Sequence, residues 1–210
     1  MEEKNSRSEL GSEDSKRKSI INAAMAEFCN GYVNASTDSI VKAAGVSKGL
    51  LFHYFGTKKK LFLYAYHYAL QTVTSEFYDL INLNEKDILE RLRQVALLKM
   101  DLMQKHPMIF NFIAHASFPD SEDVKSDIME QRDKFTDDAY PKLFHNINRT
   151  LFREDIDVDT AISTIFYTIE GYAQNEANPK KSTQDYYNEY ERYLSDLDRY
   201  IRLFRTSFYK

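Results

Sequence analysis

Thr37-Asp38-Ser39-Ile40-Val41-Lys42-Ala43-Ala44-Gly45-Val46-Ser47-Lys48-Gly49-Leu50-Leu51-Phe52-His53-Tyr54-Phe55 reads as two short helical phrases hinged at Gly45, and Lys58, Lys59 and Lys60 follow at once. In the first phrase Ile40, Ala43 and Ala44 bring small and apolar groups to one face at helical spacing. Ser36 or Thr37 is placed to cap its start by accepting a backbone N–H. Gly45 tolerates a left-handed backbone, so it can end that helix, and Ser47 can cap a second one directly afterwards. Two steeply crossed helices follow from this grammar. In the second phrase Val46, Leu50 or Leu51, and Phe55 recur at helical spacing and pack inward. That leaves Ser47, Lys48, Gly49, His53 and Tyr54 facing outward. Glycine costs about 1 kcal/mol relative to alanine inside a helix, so Gly49 suggests close approach of the helix to another body.

Charge separates this segment from an ordinary helical hairpin. Residues 45–60 hold four lysines and no acid, whereas the whole chain has 28 basic and 32 acidic residues and a net charge of −4. Residues 1–60 carry net +3 and residues 61–210 net −7. A positive field confined to one end suits phosphate contact there and excludes a protein that coats polyanions along its length. The hinge, the outward groups and the local charge together describe a helix-turn-helix with double-stranded DNA as its partner.

These residues resemble the TetR family of transcriptional regulators, whose signature is matched at Ile40, Ala43, Ala44, Gly45, Val46, Ser47, Gly49, Leu51, Tyr54, Phe55, Lys58 and Leu61. Val41 stands where the family usually has alanine, and Phe52 where it usually has tyrosine. Phe52 therefore lacks a hydroxyl that could reach a phosphate. With Leu50 beside it, base recognition is expected to lean on apolar contact such as a thymine methyl. The resemblance implies that Lys48 and Gly49 enter the major groove with Leu50 and His53 near base edges or sugars, while Thr37, Ser47, Tyr54 and Lys58 hold phosphates. Phe52 completes the candidate DNA-binding set. The resemblance also implies repression of transcription through a palindromic operator, relieved by a small-molecule effector. A helical dimer that binds a ligand or protein without touching DNA is the rival reading.

Outside this stretch the chain is expected to be all-α. Residues 1–15 are polar and without apolar periodicity, and read as a disordered arm. Residues 16–60 form the helix-turn-helix domain, its bracing helix carrying Ile20, Ile21, Ala24, Met25 and Phe28 on one stripe. Residues 61–210 form a helical effector-binding and dimerisation domain. Helices are expected at about 58–82, 86–105, 107–116, 122–149, 156–177 and 183–207, broken near Asn82, His106-Pro107, Phe118-Pro119 and Asn178-Pro179.

The last two helices bear long apolar stripes: Val158, Ala161, Ile162, Ile165, Ile169 and Tyr172 on one, Tyr186, Tyr190, Tyr193, Leu197, Tyr200, Ile201, Phe204 and Phe208 on the other. Their width and tyrosine content predict a two-fold homodimer through a four-helix bundle. A methionine-rich and aromatic middle suits an adaptable apolar cavity. Met103, Phe110, His115, Tyr140, Phe144, Tyr167, Glu170 and Gln174 are the candidate effector contacts, and the 58–82 helix is the lever that would link effector to head. The five histidines show no metal-ligand spacing, no nucleophile motif is present, and no catalytic residue, metal or cofactor is expected. The single cysteine, Cys29, and the lack of a long uncharged apolar run fit a cytoplasmic protein without a membrane partner.

Overall fold

The computed structural model describes the backbone of residues 2–176 and 183–210, and their side chains apart from 2–12, 136, 138–141, 174 and 183. The expected break at Asn178-Pro179 and the side chains of Tyr140 and Gln174 lie outside the described residues. Among the described residues ten helices run in the order α1 (Glu2–Phe28), α2 (Thr37–Ala44), α3 (Lys48–Phe55), α4 (Lys58–Leu80), α5 (Ile88–Lys105), α6 (Pro107–Ala116), α7 (Glu122–Phe144), α8 (Val158–Glu176), α9 (Thr183–Asn188) and α10 (Tyr190–Phe208), with one 3-10 turn at Arg149–Leu151. The one β contact among the described residues is an isolated bridge between Phe152 and Tyr209. No described helix is long and apolar enough to cross a membrane.

Three expectations about these elements change. The leader read as a disordered arm is instead helical from Glu2, continuous with the packed half of α1. That packed half carries the buried stripe Ile20, Ile21, Ala24, Met25 and Phe28; the polar part extends a helix already nucleated, which costs less than starting one. Helix α7 stops at Phe144 rather than near 149, because Asn146 takes a left-handed φ of 56°. Asparagine adopts that conformation more readily than most residues. The expected final helix is two, α9 and α10, parted at Glu189, which has no side-chain cap. No proline or glycine marks that break in the sequence.

The chain divides into two compact units, Met1–Thr72 with Met108–Asp133, and Val73–Pro107 with Lys134–Lys210. In the first unit α1, α2 and α3 share a core with the start of α4 and with α6. Phe62 of α4 meets Phe28 edge-on at 4.8 Å and Phe112 at 5.9 Å. Ile40, Leu51, Leu61, Ala65 and Ala69 are fully buried with them. The unit therefore reaches past residue 60 because α4 contributes the aromatic floor on which the short helices rest.

The second unit is built on Ile88, Leu89, Leu92, Ala161, Ile162, Ile165, Leu197, Ile201 and Phe204, from α5, α8 and α10. Each large aliphatic or aromatic group buried there contributes roughly 1.5–3 kcal/mol. The one buried charged residue found among the described residues, Arg91, sits inside this unit. Its Nη1 donates to Leu143 O at 2.7 Å and His145 O at 2.8 Å, its Nη2 to Leu83 O at 3.1 Å and to Glu85 O, and its Nε to Glu85 O at 2.8 Å. Leu143 and His145 lie at the C-terminal end of α7, where carbonyls lack helical partners. One guanidinium thus closes α7 and the turn before α5. The chain end is pinned as well, since Tyr209 Oη donates to Asp87 Oδ1 at 2.7 Å while Arg205 pairs with Asp87 and Glu90.

Arg91→Met leaves four carbonyls short of a donor and is expected to cost about 3 kcal/mol in urea unfolding, against about 1 kcal/mol for Tyr209→Phe. Burial, then Asp87, raises the Tyr209 phenol above its ordinary value of 10. The folded chain holds that proton more tightly than the unfolded chain, so the contribution is whole below about pH 10 and fades as pH climbs further. Unfolding titrations of Tyr209→Phe should lack that alkaline loss.

Candidate nucleic-acid interface

Local hydrogen bonding explains why α2 and α3 form and why they turn where they do. Ser36, extended, accepts from Asp38 N and Ser39 N and so caps α2. Gly45 adopts φ 67° and ψ 34°, and Val46 N donates back to Val41 O at 3.1 Å. Ser47 then accepts from Leu50 N at 3.2 Å to cap α3. Of the alternatives at the inner face of α3, Leu51 is fully buried with Phe55, while Leu50 and Val46 are half-buried at the rim.

The outer face of α3 presents Lys48, Gly49, Phe52 and His53, all exposed, with Tyr54 half-buried beside His53. Phe52 is 37% exposed, a large apolar group offered to solvent. Gly49 is surrounded by space: a methyl there would find only Ser47 Oγ, at 4.0 Å. The chain's own packing does not require glycine at this position. Lys48 pairs with Asp38 at 2.8 Å, but both groups are more than half exposed. Such a pair contributes little and yields readily to a phosphate.

The lysine triplet opens α4, whose first turn contains no acid. Positive charge at a helix N-terminus opposes the helix dipole, so these lysines are not there to stabilise α4 by themselves. Their partners differ. Lys60 is exposed. Lys58 donates to Val33 O at 3.2 Å and lies 4.9 Å from the centre of the Tyr32 ring, which leaves part of its three-donor ammonium for another acceptor. Lys59 is held by Asp127 Oδ2 at 2.9 Å and Asp123 O at 2.6 Å, and this pairing raises its pKa. Thr37, the first residue of α2, is half-buried.

Two groups that the sequence does not single out join the head. Asp120 accepts from Val33 N, and Tyr32 Oη donates to Asp123 Oδ2 at 2.9 Å. They stand some ninety residues apart in sequence, so no local pattern reveals the contact.

The expected effector residues do not gather in one unit. Phe110 and His115 belong to the first, where His115 Nδ1 lies 2.7 Å from Asn111 O. Met103, Phe144, Tyr167 and Glu170 belong to the second. There Phe144 meets Phe166 at 5.7 Å, and Met103 lines a cleft of about 560 Å³ with Asp101, Gln104, Lys105, Gln184 and Tyr187. Tyr167 is 70% exposed. Among the described residues no group of histidine, cysteine or carboxylate side chains is arranged to hold a metal ion.

Residues 20–65 match the family described as bacterial regulatory proteins, tetR family. The fold is similar to that of the fatty acid degradation regulator FadR from Bacillus halodurans, at 16% identity and a TM-score of 0.60, covering 91% of this chain and 98% of that one. It is also similar to the TetR family transcriptional regulator PfmR from Thermus thermophilus, at 19% identity and a TM-score of 0.56, covering 87% and 97%. TylP, a TetR regulator from Streptomyces fradiae, aligns at 20% identity with a TM-score of 0.58 over 93% and 87%. No curated protein matches the chain by sequence.

Gly49→Ala should hold or raise the melting temperature, since alanine favours helix by up to about 1 kcal/mol. The same change should weaken duplex binding by roughly tenfold in a fluorescence anisotropy titration if the backbone of α3 lies against DNA.

Proposed function

We propose that the chain is a DNA-binding transcriptional regulator of the TetR family, a reading supported by the match over residues 20–65 and by the fold, and that it acts as a dimeric repressor released from a palindromic operator by a small effector. The observation that carries this reading is the outer face of α3. A glycine with no packing duty, a lysine tied only to an exposed acid, and an exposed phenylalanine are poor choices for a solvated surface and good ones for a groove. In our reading Lys48 and Gly49 enter the major groove, and Leu50, Phe52 and His53 meet base edges or sugars. Thr37, Ser47, Tyr54 and Lys58 hold phosphates and so set register rather than sequence preference.

Dimerisation is supported by the outer faces of α8 and α10. Thr160, Thr164, Tyr167 and Gly171 share one side of α8, where Tyr167 is 70% exposed and a methyl on Gly171 would meet nothing within 4 Å. Leu203 of α10 is 58% exposed. A second copy laid on these faces would cover them, and a two-fold pair would match an inverted repeat. This favours the interface, rather than the effector, as the role of Tyr167.

For the effector, support is confined to the second unit. Met103 lines the cleft there, and Phe144 packs on Phe166. Such soft and aromatic side chains suit a small, largely apolar ligand. Helix α4 runs unbroken from Lys58 to Leu80, with its residues shared by the two units, so a ligand that prefers one state of the second unit has a continuous helix through which to act.

Selection of bound duplexes from random DNA at two salt concentrations should return an inverted repeat whose half-sites lie about one helical turn, or a multiple, apart. Binding should fall steeply with salt, and Lys58→Ala should lower the slope of log K against log salt by about one. Recovery of no preferred sequence would defeat the proposal. Tyr167→Glu combined with Leu203→Glu should convert the dimer to monomer in sedimentation velocity and abolish binding to the paired site; an unchanged dimer would move the interface elsewhere.

A further inference from the structure

Ahead of α2, residues 30–35 form the loop that delivers the chain to the Ser36 cap, and two of its groups, Val33 N and Tyr32 Oη, donate to a distant corner of the same unit. Val33 N donates to Asp120, lying 3.2 Å from both Oδ1 and Oδ2. Gly31 permits this: it has φ 92°, and a methyl on it would collide with Asp120 Oδ2. Next to Asp120 along the corner, Asp123 accepts from Tyr32 Oη at 2.9 Å, and the Tyr32 ring packs on Phe62 at 5.2 Å. Lys59 closes the arrangement from α4 by donating to Asp123 O and pairing with Asp127. Lys58 in turn donates to Val33 O, so the backbone of Val33 is held at both its N–H and its carbonyl.

Resting on the reading that the head binds DNA, we propose that Asp120 is a positioning residue for DNA recognition: with Asp123 and Lys59 it latches the loop before α2 to the α6–α7 corner, and it touches no DNA itself. The latch makes residues 108–133 part of the body that presents α3, in agreement with their packing in one unit with residues 1–72. It also gives Lys59 a duty different from that of Lys58 and Lys60. Three adjacent lysines look interchangeable in sequence, yet Lys59 is spent on two aspartates inside the unit. Loss of a hydrogen bond to a charged carboxylate would leave the loop free to shift, and with it the cap and the direction of α2. The Tyr32 phenol, pushed up to about 12 by burial and then by Asp123, records the same contact.

The experiment compares the full chain with Asp120→Ala, Asp120→Asn and Lys59→Met. Asp120→Ala should keep its helix content, lose hydrogen-exchange protection at the Val33 amide, and bind its operator about tenfold more weakly, the scale of one charged hydrogen bond. Its salt slope should equal that of the unaltered chain, because no phosphate contact is removed. Asp120→Asn retains one acceptor oxygen and should recover most of the affinity. Operator affinity left unchanged once Val33 has lost protection would overturn the proposal. If Asp120→Ala does not fold, Lys59→Met decides: weaker binding with an unchanged salt slope supports the latch, and a slope lower by about one makes Lys59 a phosphate ligand and overturns it. If the unaltered chain binds no duplex, the DNA-binding reading fails separately, and the latch then stands on a protected Val33 amide and falls on a rapidly exchanging one.

Discussion

The left-handed turn at Gly45 is the constraint on which the reading head depends. Helices α2 and α3 have eight residues each, too short to persist alone in water. They exist because the turn folds one against the other, because serines satisfy their first backbone donors, and because Ile40, Leu51 and Phe55 are held in a core that α1, α4 and α6 supply. A side chain at Gly45 would have space but the wrong backbone preference, so the conformation rather than the packing demands glycine. Gly49 is the contrasting case, with an ordinary helical backbone, free space and no local need. The difference between these two glycines separates a folding requirement from a surface kept bare.

Charge is distributed by the same logic. Lysines at the start of α4 face the unfavourable end of the helix dipole, a placement that intramolecular stability does not explain. The structure resolves the cost unevenly. Lys59 is neutralised by the aspartates at the start of α7, Lys58 gives part of its ammonium to a loop carbonyl, and Lys60 remains at the surface. In the second unit the balance is reversed, since Arg91 is buried among carbonyls with no carboxylate in hydrogen-bond contact. Its donors are distributed over the open end of α7 and the turn before α5, segments that Asn148 N also ties together by donating to Lys86 O.

Periodicity carried much of the helical order. The reading of residues 107–116 coincides with α6, Phe55 lies inward as spacing required, and of the alternatives Leu50 and Leu51 the structure buries Leu51. Where the reading and the structure part, the cause is a conformation without a strong composition signal. Asn146 ends α7 through its backbone, and Glu189 parts α9 from α10 with neither glycine nor proline nearby. Helical spacing also cannot say which partner a stripe will meet. Tyr167, aromatic and central in the sequence, reads as a candidate effector contact, and it stands exposed on α8 beside threonines and a glycine.

The helix-turn-helix is legible in the chain alone because its determinants are local: a capping serine, a glycine able to go left-handed, a second capping serine and apolar residues one or two turns apart all fall within twenty residues. Asp120 beneath Gly31, Lys59 between Asp123 and Asp127, and Arg91 under the end of α7 are not legible, because each joins residues separated by some fifty to ninety positions. Side chains that far apart become neighbours only when a core brings their helices together, and charge or amphipathic pattern cannot specify which of several lysines, aspartates or arginines will find a partner there.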